Sequence, residues 1–169
     1  YEDHGTMLAE AEPDVVSICV PPAAHAGIAI DCARHPAVRA IHCEKPMALT
    51  WGGSRAMAMA AWRHDTRLTF NHQRRFGRPF REAKELLDSG AIGDLERVGF
   101  AANNVYDYGS HSIDLCGYFV DEVPAEWVLG GIDYREEDVY FGTHNENQAI
   151  LQWEYENGVS GLASTADGD

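Results

Sequence analysis

Residues 40–46 read Ala40-Ile41-His42-Cys43-Glu44-Lys45-Pro46, and the passage from apolar to charged within this stretch decides the fold. Residues 38–43 form a short apolar run of the kind that makes a buried strand. Pro46 removes a backbone donor and pushes Lys45 away from helical angles, so Lys45 is expected to be extended where the strand stops. In open α/β sheets ligands bind outside the carboxyl ends of the strands, which would face Lys45 toward a ligand. The chain has 13 Lys+Arg, but Lys45 and Lys84 are its only lysines. Where arginine is the usual cation, a lysine in a cleft supplies a compact charge that shifts its pKa readily. A surface lysine that merely ends a strand is the bland alternative.

Outward from this stretch, the same pattern repeats. Residues 14–20 are a continuous β-rich run, as expected of a central parallel strand, and Pro21-Pro22 stops it. Residues 23–35 predict a helix, Thr50 is a candidate N-cap for an alanine- and methionine-rich helix ending near His64-Asp65, and residues 68–72 predict a third strand. Strand–helix–strand–helix–strand is the order of a doubly wound α/β sheet. The glycine fingerprint G-x-G-x-x-G occurs nowhere in the chain, so the pyrophosphate cradle of a dinucleotide-binding unit is not in it. The chain opens on Tyr1 rather than a methionine and is expected to be a piece of a longer protein.

From Gln73 the character changes. Arg74-Arg75-Phe76-Gly77-Arg78-Pro79 is a basic, turn-rich joint in an otherwise acidic chain. A helix over 80–89 stopped by Gly90, a strand over 95–100, alternating strands over 126–132 and 148–155, and an Asn157-Gly158 hairpin returning through 159–164 follow. The expected organisation is therefore the C-terminal part of a Rossmann-like dinucleotide-binding domain at 1–72. Part of an α+β domain with a largely antiparallel open sheet follows at 73–169.

A second constellation is Asp107-Tyr108-Gly109-Ser110-His111-Ser112-Ile113-Asp114. Ile113, Cys116, Gly117 and Val120 keep helical spacing, so a helix is expected to begin near Ser110. Either Asp107 or Asp114 has the spacing to lie against the His111 imidazole, and a carboxylate-held histidine suits a general base. A capped helix start with a hydrogen-bonded histidine, or a pair of metal ligands, are the competing readings.

Composition narrows the partners. Thirteen basic against 27 acidic residues give a net charge of −14, which argues against nucleic acid or an anionic membrane. Acidity spread along the chain, with arginine for lysine, resembles proteins of a salt-rich cytoplasm; an acidic but ordinary bacterial enzyme is the competing reading. No apolar run approaches the roughly 20 residues of a membrane helix, and the default compartment is the cytoplasm. The four cysteines, Cys19, Cys32, Cys43 and Cys116, have no metal-like spacing and are expected to be buried thiols.

Taken together these motifs resemble the Gfo/Idh/MocA (glucose–fructose oxidoreductase/inositol dehydrogenase) family. The strand 14–18 with Val20-Pro21-Pro22 and His25 is similar to the family's "TPP..H" turn. Cys43-Glu44-Lys45-Pro46-Met47-Ala48 is similar to its "CEKP.A" motif, Asp107, His111 and Asp114 to its "D.G.H..D" signature, and residues 72–76 to the segment joining its two domains. The resemblance implies an NAD- or NADP-dependent oxidoreductase acting on a secondary alcohol of a sugar, polyol or related small molecule. It implies catalytic roles for Lys45, His111 and Asp107, and no metal. Val20, Pro21, Pro22, His25, Glu44, Lys45 and Gln73 would line the cofactor site. It also implies a homo-oligomer formed through the open sheet of the second domain. An NAD-dependent glycosidase of the same family and a non-catalytic nucleotide-binding module are the alternatives. The stretch between Gly93 and Asp107 is shorter than is usual in the family, which bears on the substrate more than on the reaction.

Overall fold

The computed structural model describes residues 1–165. They form two compact units, Tyr1–Asn71 with Tyr140–Thr143, and His72–Val139 with His144 onward.

The first unit runs α1 (His4–Ala11), β1 (Val15–Ile18), α2 (Pro22–Arg34), β2 (Ala40–Cys43), α3 (Trp51–Arg63) and β3 (Arg67–Phe70). Its strands are parallel in the order β1-β2-β3, with Ile18 opposite Cys43 and Cys43 opposite Phe70. Strand alternation sends Val16, Ile18, Ile41 and Cys43 to one face, where they pack on Ala29, Cys32 and Ala33 of α2 and Met57 of α3. Full burial of side chains the size of Ile41 and Met57 stabilises by about 1.5–3 kcal/mol each. The helix starts follow local chemistry. Thr50 Oγ1 accepts the Gly53 N–H at 3.0 Å, and Pro22 sits in the first turn of α2, where its missing N–H costs nothing.

Two details differ from expectation. β1 ends at Ile18, short of the run 14–20, and its residues alternate, with Val15 and Ser17 exposed and Val16 and Ile18 buried. Cys19 was expected to be buried and is exposed instead. The i, i+2 alternation carries Val15 and Ser17 on to Cys19, whose Sγ lies 3.7 Å from Ser17 Oγ. Cys32, Cys43 and Cys116 are buried, as expected.

The second unit begins with a 3₁₀ turn (Gln73–Phe76) and α4 (Arg78–Asp88), followed by β4 (Arg97–Ala101), α5 (Gly109–Phe119) and β5 (Ala125–Asp133). A short hairpin of β6 (Val139–Tyr140) and β7 (Thr143–His144) precedes β8 (Gln148–Tyr155) and β9 (Ser160–Thr165). The main sheet has the order β4-β9-β8-β5, antiparallel except where β4 and β9 run parallel. One face buries Val98, Trp153, Tyr155 and Ala163 against Cys116 and Val120. Trp153 lies across Gly161, where any Cβ would fall 1.9 Å from the indole. The opposite face is open: Leu129, Gln152 and Leu162 form one cross-strand row, Gly131, Ile150 and Ser164 the next. Leu129, Ile150 and Leu162 are all exposed there. Lys84, the second lysine, is buried on α4 and paired with Asp88 and, at 2.7 Å, with Asp121. Among the described residues no helix is long and apolar enough to cross a membrane.

Candidate functional site

Two strand ends of the first unit, those of β1 and β2, carry residues singled out above. Val20 and Pro21 are exposed just beyond β1, and Pro21 occupies the N-cap position of α2. Pro22 is buried as the first residue of that helix. His25, one turn further, is completely buried. Its Nδ1 lies 2.9 Å from the carbonyl oxygen of Pro46, and its Nε2 lies 2.8 Å from that of Val20. One ring therefore ties the loop after β1 to the loop after β2. His25 was read as lining the cofactor site; its ring is buried beneath the two loops that it joins.

Glu44 and Lys45 follow β2 directly, and both are half-buried. The Glu44 carboxylate accepts the Lys45 N–H at 3.2 Å through Oε2 and the Asn71 side-chain amide at 2.6 Å through Oε1. Asn71 stands at the end of β3, its own N–H donating to Cys43 O at 2.8 Å. The ends of β2 and β3 are thus locked together around the backbone of Lys45. The neighbouring Cys43 thiol is pushed up to about 12 by burial, with the Glu44 charge adding to it, so it has no thiolate to offer at neutral pH.

The remaining sequence-predicted residues lie in the second unit. Gln73 is exposed as the first residue of the 3₁₀ turn. His111 is buried in the first turn of α5, and Asp107 is half-buried in the turn before it. The His72 ring meets that of His111 edge-on, centroids 5.6 Å apart and planes at 89°. Asp114, one of the two carboxylates with the spacing to hold His111, is taken by Arg75. That guanidinium donates Nε to Oδ2 at 2.8 Å and Nη2 to Oδ1, and reaches Glu122 at 2.7 Å as well. The hydrogen bond to Asp114 is the largest influence raising the arginine above its ordinary range. Arg74 takes another course, its guanidinium 4.2 Å from the ring centroid of Tyr108. Of the joint's three arginines, Arg75 thus joins two carboxylates, Arg78 pairs with Glu82 and Arg74 stacks on the residue beside Asp107. Among the described residues no cluster of three or more His, Cys, Asp or Glu is placed to hold a metal ion.

A parallel sheet whose strand ends present an exposed turn, an oriented carboxylate and a lysine has the form of a ligand site at the carboxyl edge of an α/β sheet. Residues 1–72 match the family model for the oxidoreductase family with an NAD-binding Rossmann fold. This segment belongs to the Gfo/Idh/MocA family. Beyond this segment the likeness is to individual proteins. Myo-inositol 2-dehydrogenase of Thermotoga maritima is 24% identical over 154 residues, covering 82% of this chain and 46% of its own length. The chain thus spans about half the length of the curated relatives it matches. Among solved structures, the WlbA dehydrogenase of Bordetella pertussis, in complex with NADH and UDP-GlcNAcA, superposes with a TM-score of 0.83 at 20% identity. The match covers 98% of this chain and 52% of that one. An inositol dehydrogenase homologue from Azotobacter vinelandii, complexed with NADH and myo-inositol, gives 0.82 at 17% identity, over 98% of this chain and 49% of its own. At these identities the structures establish the fold: part of a Rossmann domain followed by an α/β unit with a mixed, mostly antiparallel sheet.

Asn71 and His72 were not singled out as site residues by sequence reasoning. The expected third strand ran over both; β3 ends at Phe70, which puts them at its carboxyl end, where ligands of parallel sheets gather.

Proposed function

We propose that the full-length protein transfers a hydride between NAD or NADP and a secondary alcohol of a sugar, polyol or related small molecule. The domain at 1–72 would hold the cofactor and the domain at 73–169 the substrate. The observation that carries this reading is Lys45, fixed at the carboxyl end of β2 by the Glu44–Asn71 hydrogen bonds, at the same end of the sheet as the exposed Val20-Pro21 turn. The residues fit the nicotinamide and its ribose: Glu44 is an oriented acceptor for ribose hydroxyls, and Val20, Pro21 and Pro22 give a rigid apolar edge. Gln73 would add a polar contact.

A bound nicotinamide supplies the redox chemistry. The Lys45 ammonium would hydrogen-bond the reacting oxygen and stabilise developing alkoxide charge. His111 would take the hydroxyl proton, with Asp107 orienting it or a substrate hydroxyl. A base so placed contributes on the order of 10² to 10⁴ in rate. The uncharged outward rows bearing Leu129, Ile150 and Leu162 support a homo-oligomer through the open sheet. Ile150→Asp should then lower the mass seen by analytical ultracentrifugation.

The test of the reaction is a panel of free polyols and glycosides incubated with the full-length protein and NAD or NADP. Release of reduced cofactor from free polyols is the expected result. Glycoside hydrolysis without net cofactor turnover would replace the dehydrogenase with an NAD-dependent glycosidase, and cofactor binding without either reaction would leave a binding module.

A further inference from the structure

Four consecutive backbone amides lead into α5, and a buried side chain meets every one of them. Asn104 Oδ1 accepts from the N–H groups of Asp107 at 3.1 Å and Tyr108 at 2.7 Å. The Glu146 carboxylate accepts from Val105 through Oε1 and from Tyr106 through Oε2, the latter at 3.4 Å. Asn104 is 7% exposed and Glu146 only 2%. The turn is then closed by Gly109, whose N–H donates to Asn104 O at 2.9 Å. A Cβ on Gly109 would lie 2.6 Å from that same oxygen, so the approach requires glycine.

Backbone amides of a turn outside regular structure ordinarily face water or an acceptor close by in the chain. Here a carboxylate from a segment about 40 residues further along the chain has been brought inside the protein to receive two of them. Burying a carboxylate is costly unless its charge is matched by strong donors, and hydrogen bonds to it are stronger than neutral ones. The turn it holds carries Asp107 and opens the helix that carries His111. We infer that Glu146 is a positioning residue: it touches no reacting atom, and it sets the turn from which Asp107 and His111 are presented. This role rests on the hydride-transfer reading only for its effect on turnover; its effect on the turn does not.

Glu146→Gln keeps the shape but turns one of the two acceptors into an NH₂ that faces a donor. Glu146→Asp keeps both acceptors on a shorter stem. Amide hydrogen exchange, read by NMR on the full-length protein, should show protection at Val105 or Tyr106 falling about 10-fold in Glu146→Gln. Protection in β1, β2 and β3 should stay unchanged. Turnover should fall by a similar factor at unchanged KM for the cofactor, and Glu146→Asp should restore part of both. If Glu146→Gln does not fold, Glu146→Asp carries the same measurements against the wild type, with smaller losses expected. Full protection at both amides in a folded variant would overturn the anchoring. Lost protection with wild-type turnover would overturn the positioning role. If the wild type itself turns over no alcohol, the hydride-transfer reading fails, and the exchange data still decide whether Glu146 holds the turn.

Discussion

Lys45 and His111 are placed by opposite means. Around Lys45 the determinants are local or lie at adjacent strand ends: Cys43 ends a strand, Pro46 follows, and Asn71 closes the neighbouring strand beside Glu44. Around His111 they are remote: the turn before α5 depends on Glu146, and Asp114 is drawn away by Arg75 from another element. A parallel sheet places functional groups by its topology, because every strand ends at the same edge. A loop between a strand and a helix has no such edge and must be held by whatever side chains reach it. Substitutions near Lys45 should therefore act on chemistry or cofactor binding, and substitutions near His111 on loop order first.

The largest expected effect is at Lys45. Lys45→Arg keeps the charge but alters its shape and donor geometry, and turnover should fall by about 10²- to 10⁴-fold while cofactor binding, followed by protein fluorescence, survives. Near-normal turnover would reduce Lys45 to a strand-end lysine. His111→Ala should cost a comparable factor and remove the pH dependence that a general base gives the rate. If His111 only packs against His72, the variant should melt at a lower temperature but keep its rate per folded molecule.

A smaller effect sharpens the local side of the comparison. Asn71→Ala removes one donor to the Glu44 carboxylate, a loss of about 10-fold, and should appear in KM for the cofactor rather than in kcat. An effect confined to kcat would mean that Asn71 acts on the reacting carbon instead.

How much of this was legible in the sequence follows the same division. The strands, the helices, the Thr50 cap and the Asn157-Gly158 turn could be read because each depends on neighbours within a few residues. The short β6–β7 hairpin carried no such periodicity and was not anticipated. Cys19 was misjudged because the whole apolar run was expected to be buried, whereas β1 alternates exposed and buried and Cys19 continues its exposed set. Asp114 had the right spacing for His111, but spacing along a helix cannot foresee a competing arginine 39 residues away. Glu146 gave no local signal, since its partners are about 40 residues distant.

Two modest effects test that accounting. With a thiol reagent under native conditions, Cys19 should be modified first and Cys43 and Cys116 far more slowly, burial having pushed the latter two up to about 12 and about 11. Equal rates in the folded protein would contradict the packing of both cores. The smallest expected effect is of salt. At a net charge of −14, raising KCl to molar levels should raise the melting temperature by screening self-repulsion, and a flat or falling trend would remove the salt-adapted reading.

The central claim is that the full-length protein moves a hydride directly between an alcohol carbon and a nicotinamide. Its most direct test is a single turnover with a polyol deuterated at the carbinol carbon, followed by mass spectrometry of the cofactor. The account predicts one deuterium in the reduced nicotinamide, and loss of that transfer in Lys45→Arg under the same conditions. A folded, cofactor-saturated protein that leaves the nicotinamide unlabelled with every alcohol in a broad polyol panel would contradict it.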